Sequence, residues 1–151
     1  MILPAGITGF FEGDSDVTPP VVDPASFVGA CHAASRAESG RVERFEPAGV
    51  TRNYHRAILR MRHGAIAILC NAHFPIIAFA EASDDLPLRF VEAEALASRI
   101  EEVMACEVAG RSTLEAHPDV ESLANLGAVE RKQIKYWRPG RLGEIIFNFW
   151  D

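Results

Sequence analysis

Cys70, Asn71, Ala72 and His73 form the densest group of chemically capable side chains in the sequence. A thiol attacks only as thiolate, so it needs a base or a cation beside it. The spacing puts Cys70 at the end of a strand and His73 in the turn that follows, where the two could converge. His63 precedes another turn and could join them. Such a group would serve a small enzyme, or a cleft that holds an anionic ligand. A plainer reading competes: Cys70 lies in an apolar run and serves as a small core residue. No nucleophile signature of a known enzyme class surrounds it.

Metal ligation is the second chemistry to weigh. Cys31 and His32, with Cys70 and His73, make two tight pairs of ligand types. Neither pair has zinc-finger or zinc-ribbon spacing. Neighbours on a helix point about 100° apart, so Cys31 and His32 share one ion only awkwardly. The sequence also lacks a phosphate-binding glycine loop, an H-E-x-x-H pair and an EF-hand loop. The expectation is no metal site and no cofactor.

Charge is unevenly spread. Residues 1–35 carry acids but no Lys or Arg, and residues 36–64 carry seven arginines against three acids. Residues 65–130 are strongly acidic, and the last 21 residues are basic again. Arg56, Arg60 and Arg62 would line one face of a strand, where residues two apart sit about 6.6 Å apart, close to the spacing of phosphates. They are candidates for an anion surface, or else for a solvated face or pairs with an acidic helix. That helix carries Glu94, Glu101 and Glu102, which could steer onto a basic protein partner. The formal net charge is −6, which argues against nucleic-acid binding of the basic-domain kind.

The C-terminus is dense in aromatics: Ile134-Lys135-Tyr136-Trp137-Arg138-Pro139, then Gly143-Glu144-Ile145-Ile146-Phe147-Asn148-Phe149-Trp150-Asp151. These side chains either close the core or present a partner-binding patch, since aromatic residues and Arg dominate interface hot spots. This ending, together with the ILCNAHFPIIAFAE run in the middle, resembles small uncharacterised bacterial proteins. Some of those are similar to immunity proteins of polymorphic toxin systems. The resemblance implies a non-enzymatic protein that binds and blocks a cognate toxin, and the acidic helix would suit a basic one. Two alternatives stand beside it: the enzyme or anionic-ligand cleft near Cys70 and His73, and a structural subunit that forms a homodimer through its aromatic C-terminus.

The elements that must position these residues follow from periodicity. Asp23 reads as an N-cap and Pro24 as the first residue of a helix that runs to about Ser39, with Gly40 as its stop. Before it, Asp14–Asp23 reads as a loop with two adjacent prolines. Tyr54–His63 alternates as a strand. Ala65–Asn71 and Ile76–Glu81 are continuous apolar runs, which predicts central strands covered on both faces. Arg41–Phe45 fits an edge strand and Leu88–Val91 a further one. Glu92–Val108 reads as one helix with Leu96, Ile100, Val103, Met104 and Val108 on its stripe. Shorter helices are expected from about Thr113 and from Leu123 to Ile134. Periodicity does not choose between helix and strand for residues 142–150.

The sum is an α+β fold, an antiparallel meander flanked by helices, in a single domain over residues 1–151. With 151 residues, 48% of them apolar and 24% charged, the chain can bury a core without disulfide staples. Its three cysteines sit in apolar surroundings and do not make a disulfide framework. No basic leader precedes Glu12, and the most apolar stretch, residues 65–80, is short and interrupted by Asn71, His73 and Pro75. A cytoplasmic protein that does not enter membranes is expected.

Overall fold

The computed structural model describes residues 1–13 and 18–150. Residues 14–17 of the expected Asp14–Asp23 loop, and Asp151, lie outside the described residues. Thr18–Val22 carry neither helix nor strand.

The centre is a sheet. Strands β1 (Arg41–Glu46), β2 (Tyr54–Met61), β3 (Gly64–Asn71), β4 (Ile76–Glu81) and β5 (Phe90–Val91) form an antiparallel meander in sequence order. A short β6 (Glu107–Val108) adds to β4 in parallel. Both tight connections have local causes. Met61 pairs with Gly64, so Arg62 and His63 are left as the two-residue hairpin turn. Between β3 and β4, the Asn71 side-chain oxygen accepts the N–H groups of His73 (2.9 Å) and Phe74 (3.0 Å) and so shapes the turn.

Alternation along the strands builds two cores. Tyr54, Ile58, Ala67, Leu69, Ala78 and Ala80 face one side, where Phe90, Leu114, Ile145, Ile146 and Phe147 cover them. Ala57, Leu59, Ile68, Cys70, Ile77 and Phe79 face the other. Helices α1 (Pro24–Ala37) and α2 (Glu94–Val103) cover that side through Phe27, Cys31, Leu96 and Ile100. The other side takes α3 (Arg111–Glu115), the ten-residue α4 (Ala128–Trp137) and α5 (Gly143–Ile146). The protein is α+β, and both apolar central strands are covered on both faces.

Helix α1 begins where its cap signal lies: Asp23 Oδ1 accepts the Ala25 N–H at 3.1 Å. Its end differs from the glycine-stop expectation. Ser39, not Gly40, takes the left-handed conformation, with φ 60°. Gly40 is small for another reason, because a Cβ there would lie 2.5 Å from Met61 Sδ and 2.8 Å from the Arg60 carbonyl.

Three boundaries correct the periodicity. The helix expected over Glu92–Val108 covers only Glu94–Val103. Met104 turns extended, and Glu107 and Ala109 then donate to the Pro75 and Ile77 carbonyls at 2.9 and 2.8 Å. The open edge of β4 needs donors, and pairing with it outweighs the helical pattern. Val103 consequently points outward, 54% exposed. The helix expected from Leu123 begins at Ala128, since Asp119 and Ser122 close a side-chain turn before it. Arg62 lies in a turn rather than on the strand. The undecided C-terminus is helical only to Ile146. Beyond it, Asn148 donates to Asn53 Oδ1 at 2.7 Å, and Asn53 N–H returns to the Asn148 carbonyl at 3.3 Å.

Candidate functional site

The register of β2 and β3 sets His55, not His73, opposite Cys70. Cys70 is fully buried, and its thiol donates to the Asn71 carbonyl at 3.4 Å. Burial, and then the nearby Cys106, push its pKa up to about 12. A thiol held this way stays protonated at neutral pH and is a poor nucleophile. His55 accepts the Ala48 N–H on Nδ1 at 2.9 Å and packs between Phe27 and Phe45. His73 sits in the turn, with Nδ1 2.9 Å from the Pro20 carbonyl. Since a carbonyl only accepts, that nitrogen carries the proton and Nε2 is left for other partners. Cys31 is buried while His32 is exposed. Among the described residues, no three His, Cys, Asp or Glu side chains gather as metal ligands would.

The three arginines are not brought together. Arg56 is buried, 4% exposed, and bonds Glu46 (2.7 Å), Asp84 (2.9 Å) and the Ser83 carbonyl (2.8 Å). Burial disfavours its charge, but the bonds to Glu46 and Asp84 outweigh that and raise its pKa. The Arg56 hydrogen bond, then the Arg44 charge, hold Asp84 below the usual carboxylate range. Arg60 is exposed and faces Glu43 at 3.4 Å, while Arg62 is exposed in the hairpin turn. The carboxylates that Arg56 and Arg60 meet come from β1 and the loop after β4, not from the acidic helix.

Glu94, Glu101 and Glu102 are exposed on α2. Arg99 moderates that face through contacts of 3.7 Å to Glu102 and to Glu38. This helix and the aromatic C-terminus pack on opposite sides of the sheet. One partner surface therefore does not include the other.

The C-terminus both closes the core and builds a face. Ile145, Ile146 and Phe147 are buried, whereas Phe149 and Tyr136 are 45% and 76% exposed. Trp150 stacks on Trp137, with centroids 6.3 Å apart and planes 6° apart. Phe10 meets Trp150 at 6.1 Å and Tyr136 meets Trp137 at 5.2 Å, so four rings form a row. Beside the row lies an open groove of about 600 Å³, between Leu86–Leu88, Trp137–Pro139 and Phe149–Trp150. Leu86, 56% exposed, forms its outer lip. Two further hollows adjoin it. One, of about 260 Å³, shares Phe149 with the groove and holds Arg56, Glu46 and Asp84. The other, of about 510 Å³, shares Trp150 and holds Arg52 and His73.

No protein-family model, curated protein or solved structure matches the chain. Function must be read from this geometry.

Several residues of this face escape a reading by spacing. Phe10 and Leu86 are far from the C-terminus in sequence. Asp84 reads as an ordinary turn acid, yet it neutralises a buried arginine. Arg52 and Asn53 precede a strand with no motif around them. A charged or amide residue at a strand's mouth is the only signal, and it is a weak one.

Proposed function

We propose that this chain is a non-catalytic protein-binding domain of the immunity-inhibitor kind, and that the aromatic groove meets its partner. The observation that carries this reading is the stacked Trp137–Trp150 pair, flanked by exposed Tyr136, Phe149 and Leu86 around an open groove. Exposed, rigid aromatic rings beside a cavity are the composition of interface hot spots. The protonated, buried Cys70 speaks against thiol catalysis. All three cysteines are free thiols, which suits a reducing cytoplasm.

The groove's charge indicates the partner's chemistry. Arg138, exposed in its lining, makes no ion pair among the described residues, while the lining carboxylate Glu144 is paired with Arg141. The groove's complement is an apolar side chain beside a carboxylate. A basic toxin would instead suit Glu94, Glu101 and Glu102 on the far side of the sheet.

Capture from the host lysate with three baits tests this. The baits are the wild type, a Tyr136→Ala/Phe149→Asp variant, and a Glu94→Lys/Glu101→Lys/Glu102→Lys variant. The expected result is one stoichiometric partner, lost with the groove variant and kept with the helix variant. That partner should be toxic when expressed alone and harmless beside this chain. The reverse pattern moves the interface to α2. Self-association alone, lost with the groove variant in light scattering, replaces the inhibitor with a homodimer.

A further inference from the structure

Three arginines, Arg44, Arg52 and Arg56, meet two carboxylates, Glu46 and Asp84. Glu46 is committed first to Arg56 at 2.7 Å and to Arg44 at 3.3 Å. Arg52 comes last, with its nearest carboxylate oxygen among the described residues at 3.8 Å. Its other contacts are neutral: the Pro47 carbonyl at 3.0 Å and the Tyr54 ring at 5.1 Å. Yet its side chain is only 18% exposed, and its Nε is buried without a hydrogen-bond partner among the described residues. A largely buried, undermatched cation is costly unless something else neutralises it.

Arg52 contributes to the lining of two hollows. One of them holds Glu46 and Asp84. The other, of about 510 Å³, has no carboxylate among the described residues of its lining. His73 contributes to that lining with Nδ1 fixed on Pro20. Its Nε2 comes close to Gly9, where a Cβ would lie 3.2 Å away and where φ is +84°. A side chain at Gly9 would therefore be strained and would crowd that nitrogen. Trp150 supplies an aromatic edge to the same hollow.

We infer that this hollow binds a small oxyanion, a carboxylate or a phosphate, with Arg52 matching its charge and His73, as the imidazolium that a bound anion favours, donating from Nε2 to its oxygen. Arg52 is held in place by Pro47 and Tyr54, so little ordering is needed on binding. A carboxylate with an apolar body would also lie against Trp150. This site is independent of the protein-binding reading and is tested without a partner.

The test titrates the full chain with potassium phosphate and, separately, with sodium benzoate, at ionic strength held constant by NaCl. Tryptophan fluorescence and the amide shifts of residues 49–53 report binding. The wild type should saturate with at least one of the two. Arg52→Gln should weaken that binding by about tenfold or more, the loss expected from one charge-assisted bond. Arg60→Gln, on the exposed end of β2, should leave it unchanged. Should Arg52→Gln fail to fold by circular dichroism, His73→Asn carries the test, since its amide N–H can still reach Pro20 while Nε2 is gone. Saturation by phosphate alone makes the ligand a phosphoryl compound, and by benzoate alone an apolar carboxylate. No saturation with either probe, or equal binding by the folded Arg52→Gln and His73→Asn variants, overturns the site.

Discussion

The side-chain amides of Asn53 and Asn71 donate to the same two backbone carbonyls, those of Ile7 and Ile146. The residue before β2 and the last residue of β3 thus hold the N-terminal segment and the end of α5 together at one buried point. Asn71, fully buried, also shapes the β3–β4 turn, and Asn148 extends the network to the Thr8 carbonyl at 3.1 Å. The wall of the aromatic face hangs from this clamp.

Replacing Asn71 with Ala should cost about 3 kcal/mol, because buried amide and carbonyl groups lose partners. Asn53→Ala should cost a comparable amount. Either single variant leaves each carbonyl one donor, while the double variant leaves none from this pair. The double loss in urea unfolding should therefore exceed the sum of the singles. Simple additivity would show that the shared carbonyls do not couple them.

Glu130, 2% exposed, accepts from Gly6 N–H (2.8 Å), Thr8 N–H (3.1 Å), the Thr8 hydroxyl (2.5 Å) and Gly127 N–H (3.2 Å). A carboxylate suits four donors, whereas Gln turns its own N–H₂ toward some of them. Glu130→Gln should lose about 2 kcal/mol, in the range of bonds to charged groups. Hydrogen exchange at Gly6 and Thr8 should accelerate. Unchanged protection there would mean that the carboxylate does not hold the N-terminal turn.

His55 gives stability a pH dependence. Burial first, then the Arg52 and His73 charges, lower its pKa below the ordinary 6.5. The unfolded chain then binds the proton more readily than the folded one, so stability rises with pH. Its contribution is complete above about pH 6.5 and is lost as pH falls through the lower folded value. Protonation would also remove the Nδ1 acceptor used by Ala48. Urea midpoints between pH 8 and pH 5 should fall more for the wild type than for His55→Asn. Equal slopes would assign the effect elsewhere.

Cysteine labelling separates core thiols from a catalytic one. Burial pushes Cys31 and Cys70 up, and Cys106 is only partly buried. Iodoacetamide at pH 7.5 should modify Cys106 first and spare the other two until urea is added, as read by mass spectrometry. Rapid native labelling of Cys70 would return thiol catalysis to consideration.

The sequence alone determined the sheet. Alternation in Tyr54–Met61 and the apolar runs of β3 and β4 carry their burial in their residue types, because neighbouring side chains on a strand face opposite sides. Asp23 and Pro24 likewise set the start of α1 locally. Tertiary structure decided what depends on distant partners. The stripe through Val108 fits a helix, but the open edge of β4 drew Glu107 and Val108 into a strand. Arg56 resembles Arg60 in sequence, yet Glu46 and Asp84 bury one of them while the other meets water. The aromatic face joins Phe10, Leu86 and Trp150, which only the folded chain brings near one another. Local pattern records which way a side chain points, and only packing fixes what it meets.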